Sequence, residues 1–510
     1  MKKIIISVIY CGLLFVSCSQ EDFENDPQTS NEILDQSDLL NAQELLSIQE
    51  INDIIANEFK QNGSFDWQGA SDQLLWSAAV QGGGLLTIGY GGEGEFAREG
   101  RSAEYDDLKA SLLNIISSQD NRTATDVLVY EDEVLNYMDV QITSLSSIKT
   151  LRATDNIRYL DPSGYSFYQQ PIDQTAQSRS SKGCSFDASV LNSADSRVIS
   201  PNALVSWNFD EHNIEQAWSL STGAGVTVGV IDTGLSPDQS KLNTSGINDG
   251  DSNGRSVEKY GTYIDSAWWW SNNLDGPNDR CGHGTNMASA IAAPRNDDFQ
   301  PVGVAYNCNL VSYRGTADVV LDDYHERKGV SNALKALANR SDVKIISMSI
   351  GYPWSIGNVK DAVKYAYSKG KLIFAAGGTS TSATNWYGVI FPASMDEAVA
   401  VTGITDNGQY DRCDVCHSGS KIEFTIVMQR DGDDNRTGAV LGYNDGDNDY
   451  VGGSSVATAT TAGIAALVWS RYPGWSRSQV LNRLRQSSDL YPNKDGSYGW
   501  GNIDAFQAVQ

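Results

Sequence analysis

Apolar residues in the second half of the chain form short unbroken runs, and helical patterns separate these runs. The runs cover residues 226–231, 343–349, 371–376 and 398–401, and the helical patterns cover 330–338, 359–368 and the stretch after Ser455. Unbroken apolar runs are typical of strands buried on both faces, so the alternation predicts an α/β fold with a parallel sheet covered by helices on both faces. We expect a functional site at the carboxyl ends of these strands.

A different pattern precedes this sheet, between residues 84 and 162. Strands are predicted at 85–88, 127–130, 134–142 and 157–160, with a helical face at Leu108, Leu112 and Ile115 and a short helix at 147–153. The order strand, helix, two strands, helix, strand predicts a small α+β ferredoxin-like unit. One more helix is predicted before it, because apolar residues recur there at helical spacing. They are Ile48, Ile51, Ile55 and Phe59.

The first residues have the pattern of an export signal. Two lysines precede an apolar run over residues 4–16, which is too short to span a membrane, and Ser17 and Cys18 follow it. The stretch resembles a bacterial lipoprotein signal in which Cys18 is lipidated, and the acidic residues 19–22 resemble the surface-export signal of Bacteroidetes lipoproteins. The resemblance implies an outer-membrane or cell-surface lipoprotein of a Gram-negative bacterium, anchored in the membrane by lipid. The alternative is a plain cleaved signal peptide with an incidental cysteine.

Charge and cysteine content narrow the class of protein further. The net charge of -27 argues against nucleic acid as a partner, because binding a polyanion needs clustered lysine and arginine. It fits an exported protein that stays soluble by self-repulsion. Of the seven cysteines, five remain once the signal is removed and Cys18 is lipidated, so at least one thiol stays free or pairs between molecules.

Three residues stand in settings that suit catalysis. Asp232 follows the apolar run 226–231, where the sheet is expected to form its site. His283 stands in the sequence CGHGTNMA, at the start of a helix with almost no bulky side chains, and Ser455 stands in GGSSVAT, before an alanine-rich helix. Glycines let the backbone approach a substrate, and a helix N-terminus offers unpaired N–H groups beside the hydroxyl. This setting suits a nucleophile that must stabilise an oxyanion.

The order Asp232, His283, Ser455 with these flanks resembles the subtilisin-like serine proteases, or subtilases. The similarity covers roughly residues 207–509, with further shared motifs at 303–305, 347–351, 391–393 and 498–501. The resemblance implies that Ser455 attacks the scissile carbonyl, His283 transfers the proton and Asp232 orients the imidazole. It implies an endopeptidase that acts through an acyl-enzyme and needs no cofactor for its chemistry. Its protein or peptide substrates would pair as an added strand with Ser349, Ile350 and Gly351.

Residues 145–162, at the end of the ferredoxin-like segment, are similar to the end of a subtilisin propeptide. This likeness implies a zymogen, whose own propeptide assists folding and inhibits the protease until it is cut off. We therefore expect five segments along the chain. They are a signal peptide at 1–17, a tether at 18–30, a propeptide at 31–165, a linker with the maturation cut at 166–200 and a subtilisin-like peptidase domain at 201–510.

The sequence departs from the family at the oxyanion hole. The family strand ends Ala-Ala-Gly-Asn, and that Asn donates to the oxyanion, whereas here the sequence AAG is followed by Gly378. Removing one such donor costs about 10²–10³ in kcat, in an example that comes from this family. The backbone N–H of Ser455 remains, and Thr379 or Ser380 offers a hydroxyl. Two interpretations stay open: a working but slow protease, and a catalytically impaired pseudoprotease or peptide-binding module on the same fold.

Two further motifs suggest bound groups. Asp249, Asp251 and Asn253, followed by glycine, match the first half of a calcium loop, so a structural calcium ion is one prediction and a solvated acidic turn is the other. The closing glutamate of such a loop is absent, because Tyr260 holds its position. The sequence CDVCH at residues 413–417 matches a haem-attachment pattern. The alternatives are a local disulfide or two loose thiols, and they are favoured because the motif lies within the segment that resembles the protease.

Overall fold

The structure is a computed structural model that describes residues 44–98, 103–168, 183–379 and 388–510. The predicted signal peptide, Cys18 and the tether lie outside these residues, as do Ser380 and residues 169–182 of the predicted linker. No helix within the described ranges is long and apolar enough to cross a membrane.

Residues 85–161 contain a four-stranded antiparallel sheet. Its strands are β1 (Leu85–Tyr90), β2 (Leu128–Glu131), β3 (Tyr137–Gln141) and β4 (Ile157–Asp161), in the order β2–β3–β1–β4. The helices described in this region are Ile48–Asn62, Asp72–Gln81, Ala103–Asp120, Ala124–Val127 and Leu145–Arg152. The strand order, with a helix in each crossover, is the arrangement of the predicted ferredoxin-like unit.

The helix Ile48–Asn62 begins at a capping box. The Ser47 side chain accepts a hydrogen bond from the backbone N–H of Glu50, and the Glu50 carboxylate accepts one from the backbone N–H of Ser47. Three of the four residues predicted to form its apolar face are buried: Ile51, Ile55 and Phe59. Ile48 is 46% exposed, because it lies in the first turn, beyond the packed part of the helix.

The second half of the chain builds a larger sheet, after a short hairpin of β5 (Ser196–Ile199) and β6 (Ala203–Ser206). Its strands are β7 (Thr227–Asp232), β8 (Val257–Gly261), β9 (Asn309–Arg314), β10 (Val343–Met348), β11 (Leu372–Ala376), β12 (Val399–Thr405), β13 (Ile422–Arg430), β14 (Asp433–Leu441) and β15 (Asn448–Val451). They lie in the order β15–β14–β13–β12–β11–β10–β7–β9–β8. The pairs from β8 to β13 are all parallel, and the β14–β15 hairpin adds an antiparallel edge.

The strand order reverses at β7. From β7 the chain moves to one side through β8 and β9, and then to the other side from β10 onward. In an open α/β sheet this switch point leaves a crevice at the carboxyl ends of the strands, which is where such sheets place their sites. Asp232, the last residue of β7, therefore lies at the switch point.

Helices cover both faces of the large sheet, as predicted. The helices described here are Asn208–Glu211, Ile214–Ala217, His283–Ala292, Tyr324–Ala338, Gly357–Ser368, Gly453–Arg471, Arg477–Gln486 and Ala505–Val509, with a 3₁₀ turn at Ser240–Leu242. His283–Ala292 and Gly453–Arg471 pack together in one apolar core, and Tyr324–Ala338 and Gly357–Ser368 belong to the core on the opposite face. The antiparallel sheet packs onto this second pair, because β1 and β4 contact Gly357–Ser368 within the same core.

Candidate active site

Asp232 and His283 form a buried hydrogen-bonded pair. Asp232 is fully buried at the end of β7, and its Oδ1 lies 2.7 Å from Nδ1 of His283, the first residue of the helix His283–Ala292. The same Oδ1 accepts a hydrogen bond of 2.8 Å from the backbone N–H of Thr233. A carboxylate held in this way fixes the imidazole with Nδ1–H toward Asp232 and leaves Nε2 as the free base.

A second buried carboxylate, Asp279, organises the loop before His283, and the sequence patterns did not single it out. It accepts hydrogen bonds of 2.6–3.0 Å from five donors on Thr233, Cys281, Gly282 and Thr285. An anion beside the first turn of a helix is stabilised by the N–H groups that have no helical partner. The sequence signal that could have indicated Asp279 is an aspartate four residues before a histidine that is flanked by glycines. Asp279 is a positioning residue for His283.

The two carboxylates also shift the proton equilibrium of the histidine. Burial disfavours the charged imidazole, but the charge of Asp232, its hydrogen bond and the charge of Asp279 outweigh burial and raise the pKa of His283 above its ordinary value. An imidazolium that forms during catalysis is therefore stabilised by its surroundings. The raised pKa suits a base that must hold a proton between two steps.

Ser455 stands in the first turn of the helix Gly453–Arg471. It is the third residue of this helix, so its backbone N–H is among those that have no helical acceptor. Ser455 is 8% exposed. Within the described residues the Ser455 hydroxyl makes no hydrogen bond to the ring of His283, and such bonds often tighten only when substrate binds. The structure thus places Asp232 at the end of β7 and the Ser455 turn beside the end of the neighbouring strand β10, where Ser349 Oγ donates to the carbonyl oxygen of Ser455. The helices that carry His283 and Ser455 pack against each other.

Gly378 is confined by its backbone and by His417. Its φ of +128° is unfavourable for any residue with a side chain, and a Cβ added there would lie 2.3 Å from His417 Nδ1. The ring of His417 therefore excludes the side chain that the family carries at this position. His417 Nδ1 lies 2.9 Å from the carbonyl oxygen of Gly388, so Nδ1–H donates to it, and the buried Nε2 has no partner among the described residues. In this tautomer Nε2 is an acceptor, and it does not replace the missing donor.

The hydroxyl of Thr379 lies against the turn that carries the nucleophile. Thr379 Oγ1 is 3.1 Å from Ser454 Oγ, and a Cβ on Gly453 would lie 2.8 Å from it. The backbone N–H of Gly378 donates to the same Ser454 hydroxyl at 3.2 Å. Thr379 is an exposed residue, and its hydroxyl lies next to the turn that carries Ser455.

The predicted substrate strand reaches the site, but part of its edge is already paired. Ser349 Oγ donates a hydrogen bond of 2.9 Å to the carbonyl oxygen of Ser455. The backbone N–H of Gly351 donates to Val319, and the carbonyl oxygen of Gly351 accepts from the N–H of Leu321, at 2.9 and 3.0 Å. A substrate strand at 349–351 would have to separate this pair at Gly351, which the sequence did not indicate. Ile350 is 1% exposed and packs in the core.

The three residues of the predicted calcium loop do not converge on one point. Asp249 and Asp298 both pair with the ammonium of Lys241, at 2.6 and 2.5 Å, so a protein cation lies between these carboxylates. Asp251 faces Arg295 at 3.5 Å, and the Asn253 amide donates to the backbone of Asp251 at 3.4 Å. The acidic group that lies close enough together for a metal, among the described residues, is Asp249 with Asp297 and Asp298. A structural calcium ion at the predicted loop stays a prediction.

The cysteines form two disulfides. Cys413 pairs with Cys416, so both sulfur atoms of the haem-like motif are engaged with each other, and Cys184 pairs with Cys281, two residues before His283. Cys308 is buried and free. The local disulfide is one of the alternatives that the sequence left open for residues 413–417, and the free thiol agrees with the odd number of remaining cysteines.

Comparison with known proteins gives consistent matches. The sequence profile of the Subtilase family matches residues 223–501. Subtilisin DY of Bacillus licheniformis is 30% identical over 295 residues, which cover 56% of this chain and 92% of that protein. The thermostable alkaline protease of Halalkalibacterium halodurans is 30% identical over 315 residues, which cover 60% of this chain and 74% of that protein. Among solved structures, MycP1 from Mycobacterium smegmatis is similar over 64% of this chain and 89% of that chain, with a TM-score of 0.48 and 22% identity.

The family match spans the parallel sheet and includes the buried Asp232–His283 pair and the Ser455 turn. More than half of the chain lies within it. The chain belongs to the subtilase family of serine endopeptidases.

Proposed function

We propose that this protein is an exported, membrane-anchored endopeptidase that is made as a zymogen and hydrolyses peptide bonds through an acyl-enzyme on Ser455. The observation that carries the catalytic part is the 2.7 Å bond between Asp232 and His283, at the end of the sheet where the Ser455 helix begins. His283 Nε2 takes the proton of the Ser455 hydroxyl as that oxygen attacks the carbonyl, and later gives it to the leaving amine. Asp232 stabilises the imidazolium between these two steps.

The oxyanion is proposed to accept from two groups. One is the backbone N–H of Ser455, which the helix geometry leaves without an acceptor. The other is the hydroxyl of Thr379, which lies beside Gly453 and 3.1 Å from Ser454 Oγ. This arrangement uses a side chain one residue after the position where the family carries its amide. It accounts for a working site that has Gly378.

Autoprocessing of the purified precursor tests the proposal. Ser455→Ala should abolish the appearance of the shorter mature form on a gel, because the nucleophile is gone. Ser470→Ala is a matched control near the other end of the same helix. The Ser470 hydroxyl donates a hydrogen bond to the carbonyl oxygen of Ala224. Processing that continues in the Ser455→Ala precursor, with no added protease, would refute the assignment of the nucleophile.

The proposed propeptide is residues 31–165, and the contacts of its described part support an inhibitory role. Arg158 forms a buried ion pair with Asp361, on the helix Gly357–Ser368, and Tyr159 donates to the same carboxylate at 3.0 Å. The Asp161 carboxylate accepts a hydrogen bond of 2.6 Å from the N–H of Gly357, the first residue of that helix. These contacts join β4 to the catalytic sheet region by charge-assisted bonds.

The segment after the proposed propeptide holds the substrate edge closed. The buried carboxylate of Asp322 accepts from the backbone N–H groups of Phe167 and Tyr168, at 3.0 Å each, and from the Tyr352 hydroxyl at 2.8 Å. Asp322 follows the residues that pair with Gly351, so these bonds keep that pairing in place. Inhibition then comes from a closed substrate edge, which opens when the segment leaves.

A time course of the precursor tests this inhibition. Hydrolysis of a fluorogenic peptide should rise only as the propeptide fragment disappears from the gel. Ser166→Ala removes one bond to Asp322 and should shorten the lag, because the segment is held less firmly. Full hydrolysis before any processing would contradict the proposed inhibition and leave the catalytic assignment intact.

Membrane anchoring is proposed on Cys18, which follows the apolar run of the signal. Metabolic labelling with a fatty acid should mark the wild-type protein and not Cys18→Ala, and the variant should move from the membrane fraction to the soluble fraction. A wild-type protein that carries no label would refute the anchor and favour a plain cleaved signal peptide.

A second candidate function is peptide binding without turnover on the same fold. Gly378 favours it, because the family's side-chain donor is missing there. The two candidates differ in whether Ser455 reacts as a nucleophile, which an active-site probe measures directly.

A further inference from the structure

A groove of about 630 Å³ lies at the amino ends of β10 and β11, whereas the Ser455 turn lies beside the carboxyl end of β10. Its three walls are the loop after the helix Tyr324–Ala338, the loop after the helix Gly357–Ser368, and residues 469–478. A strand of six residues, such as β10, spans about 20 Å. The groove is therefore separate from the proposed catalytic site.

The lining of this groove is basic, although the chain as a whole is acidic, with a net charge of -27. Among the described residues that line it, none is an aspartate or a glutamate. Five of these lining residues are cations: Arg340, Lys344, Lys369, Lys371 and Arg477. A concave surface lined by one sign of charge focuses the electrostatic potential and concentrates ions of the opposite sign. The groove is thus a local attractor for anions on a protein that repels them elsewhere.

Lys371 is the buried cation of the groove. Only 4% of it is exposed, and its Nζ donates to the carbonyl oxygen of Val343 at 2.8 Å and to that of Arg340. These bonds join two walls of the groove through neutral acceptors. Burial lowers the pKa of Lys371 and the neighbouring cations lower it further, although the charge of Asp342 opposes them. An anion in the groove would therefore stabilise this ammonium.

Two further cations join the third wall to the other two. Arg477 Nη1 donates to the carbonyl oxygen of Tyr367 at 2.6 Å, and Lys344 Nζ lies 5.6 Å from the centre of the Trp469 ring. Within the described ranges, neither of these side chains pairs with a carboxylate, whereas Arg340 binds two of them. The charges of Arg477 and Lys344 are thus held at the groove without being neutralised.

We propose that this groove binds a phosphate group, as free inorganic phosphate or as a small phosphate monoester. The guanidinium of Arg477 and the ammonium of Lys344 are the two kinds of side chain that bind phosphate oxygens. The ten-residue helix Arg477–Gln486 begins in the groove, and its positive end favours the same ligand charge.

The size of the ligand follows from the charge of the whole chain. Screening limits charge interactions to about 8 Å in physiological salt, so a single phosphate group interacts mainly with the cations of the groove. An extended polyanion would also meet the acidic remainder of the surface, which repels it. The groove therefore favours a compact anion over an acidic peptide or another polymer.

Titration of the purified full-length protein with inorganic phosphate, and separately with glycerol phosphate, tests this inference by calorimetry and phosphorus NMR at constant ionic strength. Wild type should bind at least one of the two saturably, and the tighter ligand identifies the free ion or the monoester. Lys344→Gln should weaken binding by about fivefold, the effect of losing one exposed charge partner. Lys344→Glu should abolish binding. The matched control is Lys421→Gln, which removes a half-exposed lysine outside the groove and should bind as wild type does.

Three outcomes would overturn the inference. Folded wild type that binds neither ligand saturably refutes the site. Equal binding by wild type and Lys344→Glu, with equal thermal unfolding midpoints, places the anion elsewhere on the protein. Tighter binding of a polyglutamate peptide than of either phosphate ligand refutes the choice of a compact phosphate group. Each of these results leaves the proposed peptidase intact, because the groove and Ser455 lie at opposite ends of β10.

Discussion

The ring of His417 occupies the position where a side chain on Gly378 would begin, since a Cβ there would lie 2.3 Å from His417 Nδ1. The two residues are therefore coupled, and the glycine is not a simple deletion of an amide. His417 is held by backbone bonds on both sides: its N–H donates to Gly378 at 3.0 Å, and its carbonyl oxygen accepts from the hydroxyl of Thr402 at 2.5 Å. We therefore expect that changing Gly378 or His417 alone destabilises the fold more than changing both together would suggest.

A double-mutant cycle tests this coupling. Gly378→Asn alone should lower the free energy of unfolding by about 2–3 kcal/mol and should not raise kcat, because the new side chain meets the His417 ring and needs a positive φ. His417→Ala alone should change kcat less than Gly378→Asn does. In the double variant the stability loss should be less than the sum of the two single losses, as urea unfolding would measure. Additive losses would show that the ring and the glycine are independent.

The hydroxyl of Thr379 is expected to donate a hydrogen bond to the oxyanion. Thr379→Val keeps the shape of the side chain and removes the hydroxyl, so kcat should fall by about 10²-fold with little change in KM, as when one transition-state donor is lost. Thr379→Ser should keep most of the activity. A fall in Thr379→Ser as large as that in Thr379→Val would mean that the methyl group matters and the hydroxyl does not.

Asp279 should matter for stability as well as for rate. Asp279→Ala leaves buried N–H groups of the loop before His283 without an acceptor, and each such group costs about 1–3 kcal/mol. We expect the free energy of unfolding to fall by at least about 3 kcal/mol, with kcat reduced because His283 is no longer held in place. The control is Asp251→Ala, whose carboxylate is half-exposed and whose loss should change stability by less than about 0.5 kcal/mol. Equal unfolding midpoints for the two variants would contradict the role given to Asp279.

The pH dependence of kcat/KM follows from the raised pKa of His283. The free base is the active form, so activity should rise with pH through an apparent pKa above the ordinary histidine value of about 6.5. The sign for stability is opposite: protonated His283 stabilises the folded state, and this contribution is lost as pH rises through the folded pKa. An acid limb below about 6.5 would mean that the two carboxylates do not outweigh burial.

The alternation of apolar runs and helical patterns was sufficient to predict the parallel sheet, its helical cover and the ferredoxin-like order of the smaller sheet. Local patterns do this well, because a strand buried on both faces needs an apolar run, whatever its neighbours are. The hydrogen-bonded pair of Asp232 and His283 was indicated by the sequence as well, whereas the roles assigned to Asp232, His283 and Ser455 stay predictions. Asp232 ends such a run, His283 is flanked by glycines at a helix start, and Ser455 follows two glycines by two residues at another helix start.

Long-range contacts were not predictable in this way. His417 meets Gly378 across 39 positions of the chain, and Ile390, in the segment before β12, reaches Gly351 after β10. Neither pair leaves a periodic signal, because each depends on how two segments outside the strands meet in space. The calcium loop shows the same limit: a Lys241 ammonium lies between Asp249 and Asp298, and spacing within the loop contains no information about this distant partner.

The most direct test of the central claim is covalent labelling of the matured protein with a fluorophosphonate, followed by mass spectrometry of its peptides. We expect a single label on Ser455, which is lost in Ser455→Ala and strongly reduced in His283→Ala, while the Ser470→Ala control labels as wild type does. A folded, matured wild-type protein that takes up no label, or takes it up on another residue, would contradict the claim that Asp232, His283 and Ser455 form a working catalytic triad.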